Sequence, residues 1–191
     1  MEVEEIKRFL ERLRFKQPRP QDPRSLAVLA PYNRQRRELH NALENVRLPE
    51  GLQFRESLTM RPGQRGDRRA HTVDSFQGNQ ADVVIISLVR NNEYPPKISV
   101  EANASSKKPD PLGFLGDTER LNVVMSRAER LLVLVGSWTF FERQLEGVSI
   151  HADQSTYLWQ WKNLLTKFQD FERQKKAVRV PYRDPAERGR F

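Results

Sequence analysis

Hydrophobic positions along the chain follow two spacings, one typical of buried strands and the other of amphipathic helices. Short apolar runs, too short for surface helices, predict buried strands at 26–32, 83–89 and 131–135, and a shorter strand at 71–73. Apolar residues recurring every three to four positions predict helices over 2–14, about 39–46, 117–128, 138–146 and 155–171. Strands that alternate with helices predict an α/β fold in which a parallel sheet is flanked by helices.

A polar turn, Asp74 to Gly78, joins the short strand at 71–73 to the apolar run that begins at Val83. Open α/β sheets bind their ligands at the carboxyl ends of strands. Thr72, Ser75 and Gln77 offer hydrogen bonds there, and Gly78 allows a backbone to come close. An ordinary connection between strands would look the same, so the turn alone leaves both interpretations open.

Two further blocks carry polar residues next to predicted strands. The segment Asn33-Arg34-Gln35-Arg36 follows the first strand, and Asp117 can cap a helix whose apolar stripe ends at Ala128. Arg120 and Arg127 are seven residues apart, which places them on one helical face about 10 Å apart at 1.5 Å per residue. A solvated face would also carry arginines. Because this helix leads directly into a core strand, the pattern favours a functional site.

In this order, the three blocks resemble the second RecA-like lobe of superfamily 1 helicases. The similar branch contains the nonsense-mediated-decay RNA helicase and its senataxin-like and zinc-finger-helicase relatives. Residues 31–36 resemble motif IV, residues 72–90 resemble motif V with its following strand, and residues 113–128 resemble motif VI. The resemblance covers about residues 25–140 and implies a RecA-like, P-loop-NTPase-type parallel sheet flanked by helices.

Some features of that family are changed or absent in this chain. Asn79-Gln80 stands where the family has an arginine and a glutamate, and Glu129 stands where it has a basic residue. No glycine-rich Walker A loop occurs, and no apolar strand ends in Asp-Glu. The chain therefore resembles half of a two-lobe motor, in which ATP and Mg²⁺ are bound mainly by a first RecA-like lobe in the same or another chain.

The resemblance also implies roles for individual residues. Arg127 and Arg36 would be catalytic residues that contact the γ-phosphate, since a guanidinium binds phosphate oxygens in a fork. Further nucleotide contacts are implied for Tyr32, Gln35, Gln77, Gly78, Gln80 and Arg120. Contacts to single-stranded nucleic acid, either RNA or DNA, are implied for Thr72, Asp74, Ser75 and Asn122. We expect no metal-binding residue on this chain.

Charge is concentrated in two segments of this 191-residue chain, whose net charge is +8. Residues 61–69 carry four basic residues and one acidic residue, and residues 172–191 carry seven and three, giving net charges of +3 and +4. Such segments suit phosphate backbones, although they also occur as solvated tails. The chain contains no cysteine, its three histidines lack metal-binding spacing, and no apolar run is long enough for a membrane span. We expect an intracellular protein, cytoplasmic or nuclear, with no membrane partner.

We expect three regions: an N-terminal helix and connector at 1–23, a RecA-like lobe at 24–150, and a C-terminal helix with a basic tail at 151–191. Polar loops are predicted at 48–69 and 91–112. The expected function is that of the C-terminal motor lobe of an ATP-dependent helicase or translocase that moves 5′ to 3′. Two alternatives remain open, namely a catalytically inactive RecA-like scaffolding or nucleic-acid-binding module, and a different P-loop enzyme whose arginine acts in trans.

Overall fold

A computed structural model describes residues 2–18, 20–55, 69–88, 113–146 and 157–181. The chain divides into two compact units, Met1–Gln144 and Leu145–Phe191. The loop predicted at 91–112, most of the loop predicted at 48–69, and the tail after residue 181 lie outside the described residues. No helix in the described ranges is both long and apolar enough to cross a membrane.

The first unit contains five strands and four helices in its described residues. The strands are β1 (Arg24–Ala30), β2 (Leu52–Phe54), β3 (His71–Thr72), β4 (Ala81–Ser87) and β5 (Ala128–Val135). The helices are α1 (Glu2–Arg12), α2 (Asn33–Leu43), α3 (Thr118–Met125) and α4 (Trp138–Gln144). Short 3₁₀ turns lie at Asp74–Phe76 and Gly113–Gly116. The second unit contains α5 (Tyr157–Arg173), in which Trp161 is only 1% exposed.

All described strand pairs are parallel, in the order β2-β1-β4-β5, and β3 also pairs with β1. The two central strands are buried along most of their length, as their continuous apolar runs predict. Parallel strands present their carboxyl ends at one edge of the sheet. The segments that follow β1, β3 and β4 therefore begin at the same edge, which we call the carboxyl edge.

One face of the sheet is covered by α1 and α2. Ile6 and Leu10 of α1 are fully buried, and they share a core cluster with strand residues such as Val28 and Ile85. Full burial of one such side chain contributes about 1.5–3 kcal/mol before the loss of conformational entropy is counted. Helix α1 is thus part of the core of the first unit, in contact with α2, β4 and β5.

Most element ends lie a few residues from their predicted positions, and two differences assign residues to another kind of element. Helix α3 ends at Met125, and Ala128, which was predicted to close its apolar stripe, is instead the first residue of β5. The reason is that the amino end of β5 pairs with β4, with Ala128 opposite Ala81. Strand β2 lies inside the segment predicted as a polar loop, because three residues are too few for a strand periodicity to be visible.

Polar side chains join the amino ends of β1, β4 and β5. The carboxylate of Asp82 accepts hydrogen bonds from the Ser25 backbone N–H and hydroxyl, both at 2.9 Å, and from Arg130 Nε at 2.8 Å. Burial alone would raise the pKa of Asp82. The hydrogen bonds from Ser25 and Arg130 outweigh burial, so its pKa lies below the ordinary value. This contact stabilises the sheet at the end opposite the carboxyl edge.

Candidate functional site

The motif IV segment forms the first turn of α2, directly after β1. Tyr32 is the N-cap residue, with an extended backbone and no hydrogen bond from its side chain to the cap. Gln35 and Arg36 follow in the first turn and are half-buried, whereas Arg34 is exposed and pairs with Glu38 at 3.2 Å. The side chains predicted to contact nucleotide are therefore the less exposed ones of this turn.

Gln35 contacts β4 through a buried serine. Its Nε2 donates to the hydroxyl of Ser87 at 3.0 Å, and that hydroxyl donates to Oε2 of Glu2 in α1. Ser87 is fully buried and is the last residue of β4. Neither Glu2 nor Ser87 was identified from the sequence. Ser87 did carry a signal, because a hydroxyl inside an apolar run needs a buried partner.

The motif V turn is closed by reciprocal hydrogen bonds between Thr72 and Ser75. The Ser75 hydroxyl accepts from the Thr72 backbone N–H and donates to the Thr72 carbonyl oxygen, both at 3.0 Å. The Thr72 hydroxyl accepts from the Ser75 backbone N–H at 3.1 Å. Phe76 is fully buried and anchors the turn in the core. These bonds hold the turn in one conformation, and among the described residues the Thr72 hydroxyl only accepts, which leaves its proton for a further bond.

Gly78 ends this turn with a left-handed backbone, at a φ of 81°. A Cβ atom added there would meet nothing within 4 Å, so the requirement for glycine comes from the backbone conformation and not from lack of space. Gln77 and Gly78 are both exposed, and the following Asn79 is buried. The space beside the backbone of Gly78 is open.

Helix α3 carries the central part of motif VI. Asp117 caps the helix by accepting from the backbone N–H groups of Glu119 at 3.0 Å and Arg120 at 3.2 Å. The Nε atom of Arg120 lies 3.5 Å from a carboxylate oxygen of Asp117 and 3.7 Å from one of Asp74. Arg120 therefore joins α3 to the motif V turn. Because these side chains are about half exposed, each ion pair contributes at most about 1 kcal/mol.

Arg127 lies in the turn after α3, and not on the helical face that the seven-residue spacing predicted. Its Nε donates to the Val123 carbonyl oxygen at 2.8 Å, its Nη1 to that of Asn79 at 3.0 Å, and its Nη2 to the Ser126 hydroxyl at 2.8 Å. These bonds use three of the five N–H donors of the guanidinium. All three acceptors are neutral, and no carboxylate in the described residues compensates the positive charge of Arg127.

Motif V and motif VI are thus joined at both ends of the motif V segment. Asp74 contacts Arg120, and the Asn79 carbonyl oxygen accepts from Arg127. Gln80 adds a longer bond from its Nε2 to the Ser126 carbonyl oxygen, at 3.4 Å. The importance of Asn79 was missed because its backbone, which no sequence pattern reports, makes the contact.

The predicted site residues form two groups in the described ranges. The first is the motif IV turn, with Tyr32, Gln35 and Arg36. The second joins motif V to motif VI, with Thr72, Asp74, Ser75, Gln77, Gly78, Gln80, Arg120 and Arg127. Asn122 is exposed on α3. No cluster of three or more potential metal ligands occurs in the part of the chain that the structure describes.

This arrangement suits phosphate more than a metal ion. Phosphate oxygens are bound by cationic side chains and N–H donors. Within the part of the chain that the structure describes, Arg127 has three neutral hydrogen-bond partners and two remaining N–H donors. The chemistry that these residues support is therefore the stabilisation of negative charge.

Comparisons with known proteins identify the family of this chain. The model of a family described as an AAA domain matches residues 1–139. The DNA polymerase alpha-associated DNA helicase A of Saccharomyces cerevisiae is 34% identical over 147 residues, which is 74% of this chain. A Neurospora crassa homolog of regulator of nonsense transcripts 1 is 30% identical over 115 residues, or 60% of the chain. A DNA replication ATP-dependent helicase/nuclease of Arabidopsis thaliana is 28% identical over 116 residues, or 61% of the chain.

The chain spans only 16%, 8% and 6% of the lengths of these three relatives. The family match nevertheless covers almost all of the first structural unit, Met1–Gln144. It includes the parallel sheet and the motif IV, V and VI segments. The chain therefore belongs to the AAA domain family, within the superfamily 1 helicases of the branch that contains the nonsense-mediated-decay helicase.

Proposed function

We propose that the chain is the second, C-terminal RecA-like motor lobe of an ATP-dependent helicase or translocase that moves 5′ to 3′ on single-stranded nucleic acid. The first lobe, in the same or another chain, would supply the Walker A loop and most of the ATP and Mg²⁺ contacts, because neither Walker motif occurs in this sequence. This lobe would complete the nucleotide site with cationic and polar side chains.

The observation that carries the proposal is the environment of Arg127. Its guanidinium is oriented by three neutral acceptors and held against motif V, so it keeps its full charge and two N–H donors for a phosphoryl group. Arg120, by contrast, is paired with two carboxylates. We therefore assign the γ-phosphate contact to Arg127, with Arg36 of the motif IV turn as the second catalytic cation.

Further nucleotide contacts are proposed for the motif IV turn and for the segment that binds Arg127. Tyr32 would stack on or flank the base, and Gln35 would contact it from the same turn. The segment whose Asn79 carbonyl oxygen accepts from Arg127 also contains Gln77, Gly78 and Gln80. The placement of these three residues would therefore change with the position of the guanidinium. Arg120 would contribute indirectly, by holding the motif V turn through Asp74.

Nucleic-acid contacts are proposed for the motif V turn and for α3. The Thr72 hydroxyl retains a proton that can be donated to a backbone phosphate, whereas the proton of the Ser75 hydroxyl is already donated to Thr72. Asp74 would act by orienting Arg120, and the exposed Asn122 offers an amide on α3. These contacts involve the sugar-phosphate backbone, so binding should tolerate different sequences.

The proposal is tested by changing Arg127 in a protein that carries both lobes. Arg127→Ala should lower the ATPase rate by about 10³-fold or more, as loss of an arginine finger does. Arg127→Lys should fail to restore the rate, since an ammonium group cannot form the forked contact. The 191-residue chain alone should hydrolyse no ATP above background, because the first lobe is required.

Arg130→Ala is the matched control for this experiment. Arg130 lies three residues away and pairs with Asp82 at the amino ends of the strands. Its removal takes away the same charge and a structural contact, yet it should leave ATP turnover within about twofold, as expected for an exposed pair worth at most about 1 kcal/mol. Near-normal turnover of Arg127→Ala would instead favour the scaffolding alternative.

A further inference from the structure

A buried chain of polar side chains connects α1 to the motif IV turn. Glu2 accepts from the hydroxyl of Ser87, which in turn accepts from Nε2 of Gln35 at 3.0 Å. Glu2 and Gln35 are half-buried, and Ser87 is fully buried. Buried polar groups of this kind are costly unless they are satisfied, so the three side chains constrain one another.

The donors and acceptors of these three side chains determine which end of the Gln35 carboxamide faces Ser87. An ionised carboxylate only accepts, so the single proton of the Ser87 hydroxyl is donated to Glu2. Ser87 can then only accept from Gln35, and the carboxamide must present its NH₂ group. The oxygen of Gln35, Oε1, is consequently the end that is directed away from Ser87.

Gln35 stands three residues after Tyr32, the N-cap residue of α2, so both residues belong to the start of this helix. An aromatic ring beside a fixed hydrogen-bond acceptor is a combination that can recognise a nucleobase, by stacking and by an edge contact. An acceptor at that position attracts an amino group and disfavours a carbonyl group on the base.

We propose that Glu2, acting through Ser87, is a positioning residue that orients the Gln35 carboxamide so that its oxygen selects a 6-amino purine over a 6-keto purine. This inference rests on the proposed nucleotide site. Helix α1 then contributes to nucleotide selection, and Gln35 is the residue that contacts the edge of the base. Without Glu2, the Ser87 hydroxyl could donate to Oε1, and the carboxamide could turn.

The first experiment needs no nucleotide. In the ¹⁵N-labelled 191-residue chain, the side-chain NH₂ signals of Gln35, assigned by their loss in Gln35→Ala, should show slowed exchange with solvent. Glu2→Ala should accelerate that exchange by about threefold or more, the effect of losing a modest hydrogen bond. Glu4→Ala, which removes the same charge from an exposed position of α1, should leave it unchanged. Equal exchange in wild type and Glu2→Ala would overturn the role of Glu2.

The second experiment measures selectivity in a protein that carries both lobes. ATP and ITP differ by the amino or keto group at position 6 of the purine. The ratio of the KM for ITP to that for ATP should fall by about three- to tenfold in Glu2→Ala, the range that one hydrogen bond accounts for. The change should appear in KM and not in kcat, and Glu4→Ala should retain the wild-type ratio.

The outcomes separate this inference from the proposed function. An unchanged KM ratio in Glu2→Ala, with normal ATP turnover in wild type, would overturn base selection through Gln35 and leave the motor function standing. Absence of turnover in the wild-type two-lobe protein would overturn the proposed function and base selection together. The exchange measurement would still decide whether Glu2 orients Gln35.

Discussion

Thr72 ends β3 and Ser75 lies in the turn that follows, but their hydroxyl groups are used differently, and this difference can be measured. The Ser75 hydroxyl makes two hydrogen bonds to the backbone of Thr72. The Thr72 hydroxyl accepts one bond from the Ser75 backbone and keeps its proton. Replacing Thr72 with Val removes the hydroxyl, and with it the acceptor of the Ser75 backbone N–H, while retaining the branched shape. Ser75→Ala removes both bonds that the Ser75 hydroxyl makes to the Thr72 backbone.

The expected magnitudes follow from these bonds. A hydrogen bond to a charged acceptor such as phosphate contributes about 1.5–3 kcal/mol, so Thr72→Val should weaken single-strand binding by about tenfold or more. Ser75→Ala should instead lower the free energy of unfolding by about 1–3 kcal/mol, because it leaves the Thr72 N–H without its acceptor. Its effect on affinity should stay within about threefold, since the proton of Ser75 is already committed.

Fluorescence anisotropy with a labelled single strand, at several salt concentrations, is the suitable assay. Thr72→Val should shift the plot of log affinity against log salt without changing its slope, because a neutral hydroxyl releases no counterions. Thr72→Ser, which keeps the hydroxyl, should bind nearly as wild type does. Removing residues 172–191, whose net charge is +4, should flatten the slope for every sequence tested.

The results would refute this reasoning if Thr72→Val bound like wild type at every salt concentration while Ser75→Ala lost most of its affinity. The retained proton of Thr72 would then have no role in binding. If removal of the tail abolished binding and neither substitution had an effect, the basic tail alone would be the nucleic-acid site.

The remaining predictions concern stability and are checked by urea or thermal denaturation. Asp82→Ala should cost about 2–3 kcal/mol, because it leaves the Ser25 N–H without an acceptor. The pKa of Asp82 is lower in the folded chain than in the unfolded one, so its contribution should persist above about pH 4 and disappear as the pH falls through the folded pKa; a loss on raising the pH would contradict this. Asp117→Ala should cost about 1 kcal/mol through loss of the α3 cap, and Asp117→Asn should recover most of it.

Much of the first unit could be predicted from short stretches of sequence. The apolar runs around Val28 and Ile85 required buried strands, since a chain can bury such runs on both faces only inside a layered fold. Asp117 marked the start of α3, because the capping interaction spans only three residues. The resemblance to helicase motifs, which are also local patterns, indicated the family that the comparisons confirmed.

The end of α3 could not be predicted in the same way. A helical stripe through Ala128 satisfied the local periodicity, yet pairing of Ala128 with Ala81 of β4 assigned that residue to β5. The gain from joining the sheet exceeded the small propensity for one more helical turn. Arg127 therefore lies in a turn, where its side chain contacts motif V. It does not lie on the helical face that it was expected to share with Arg120.

By itself, the sequence determined the alternation of strands and helices, the polar segments that follow the strands, and the caps, because each depends on residues a few positions apart. The tertiary structure alone decided which groups meet across the sheet. Glu2 and Ser87 are 85 residues apart, Gln35 and Ser87 are 52 apart, and Asn79 and Arg127 are 48 apart. Parallel strands need long crossover connections, so partners that meet across neighbouring strands are necessarily distant in sequence. Their pairing is set by the order and register of the strands, which no local pattern contains.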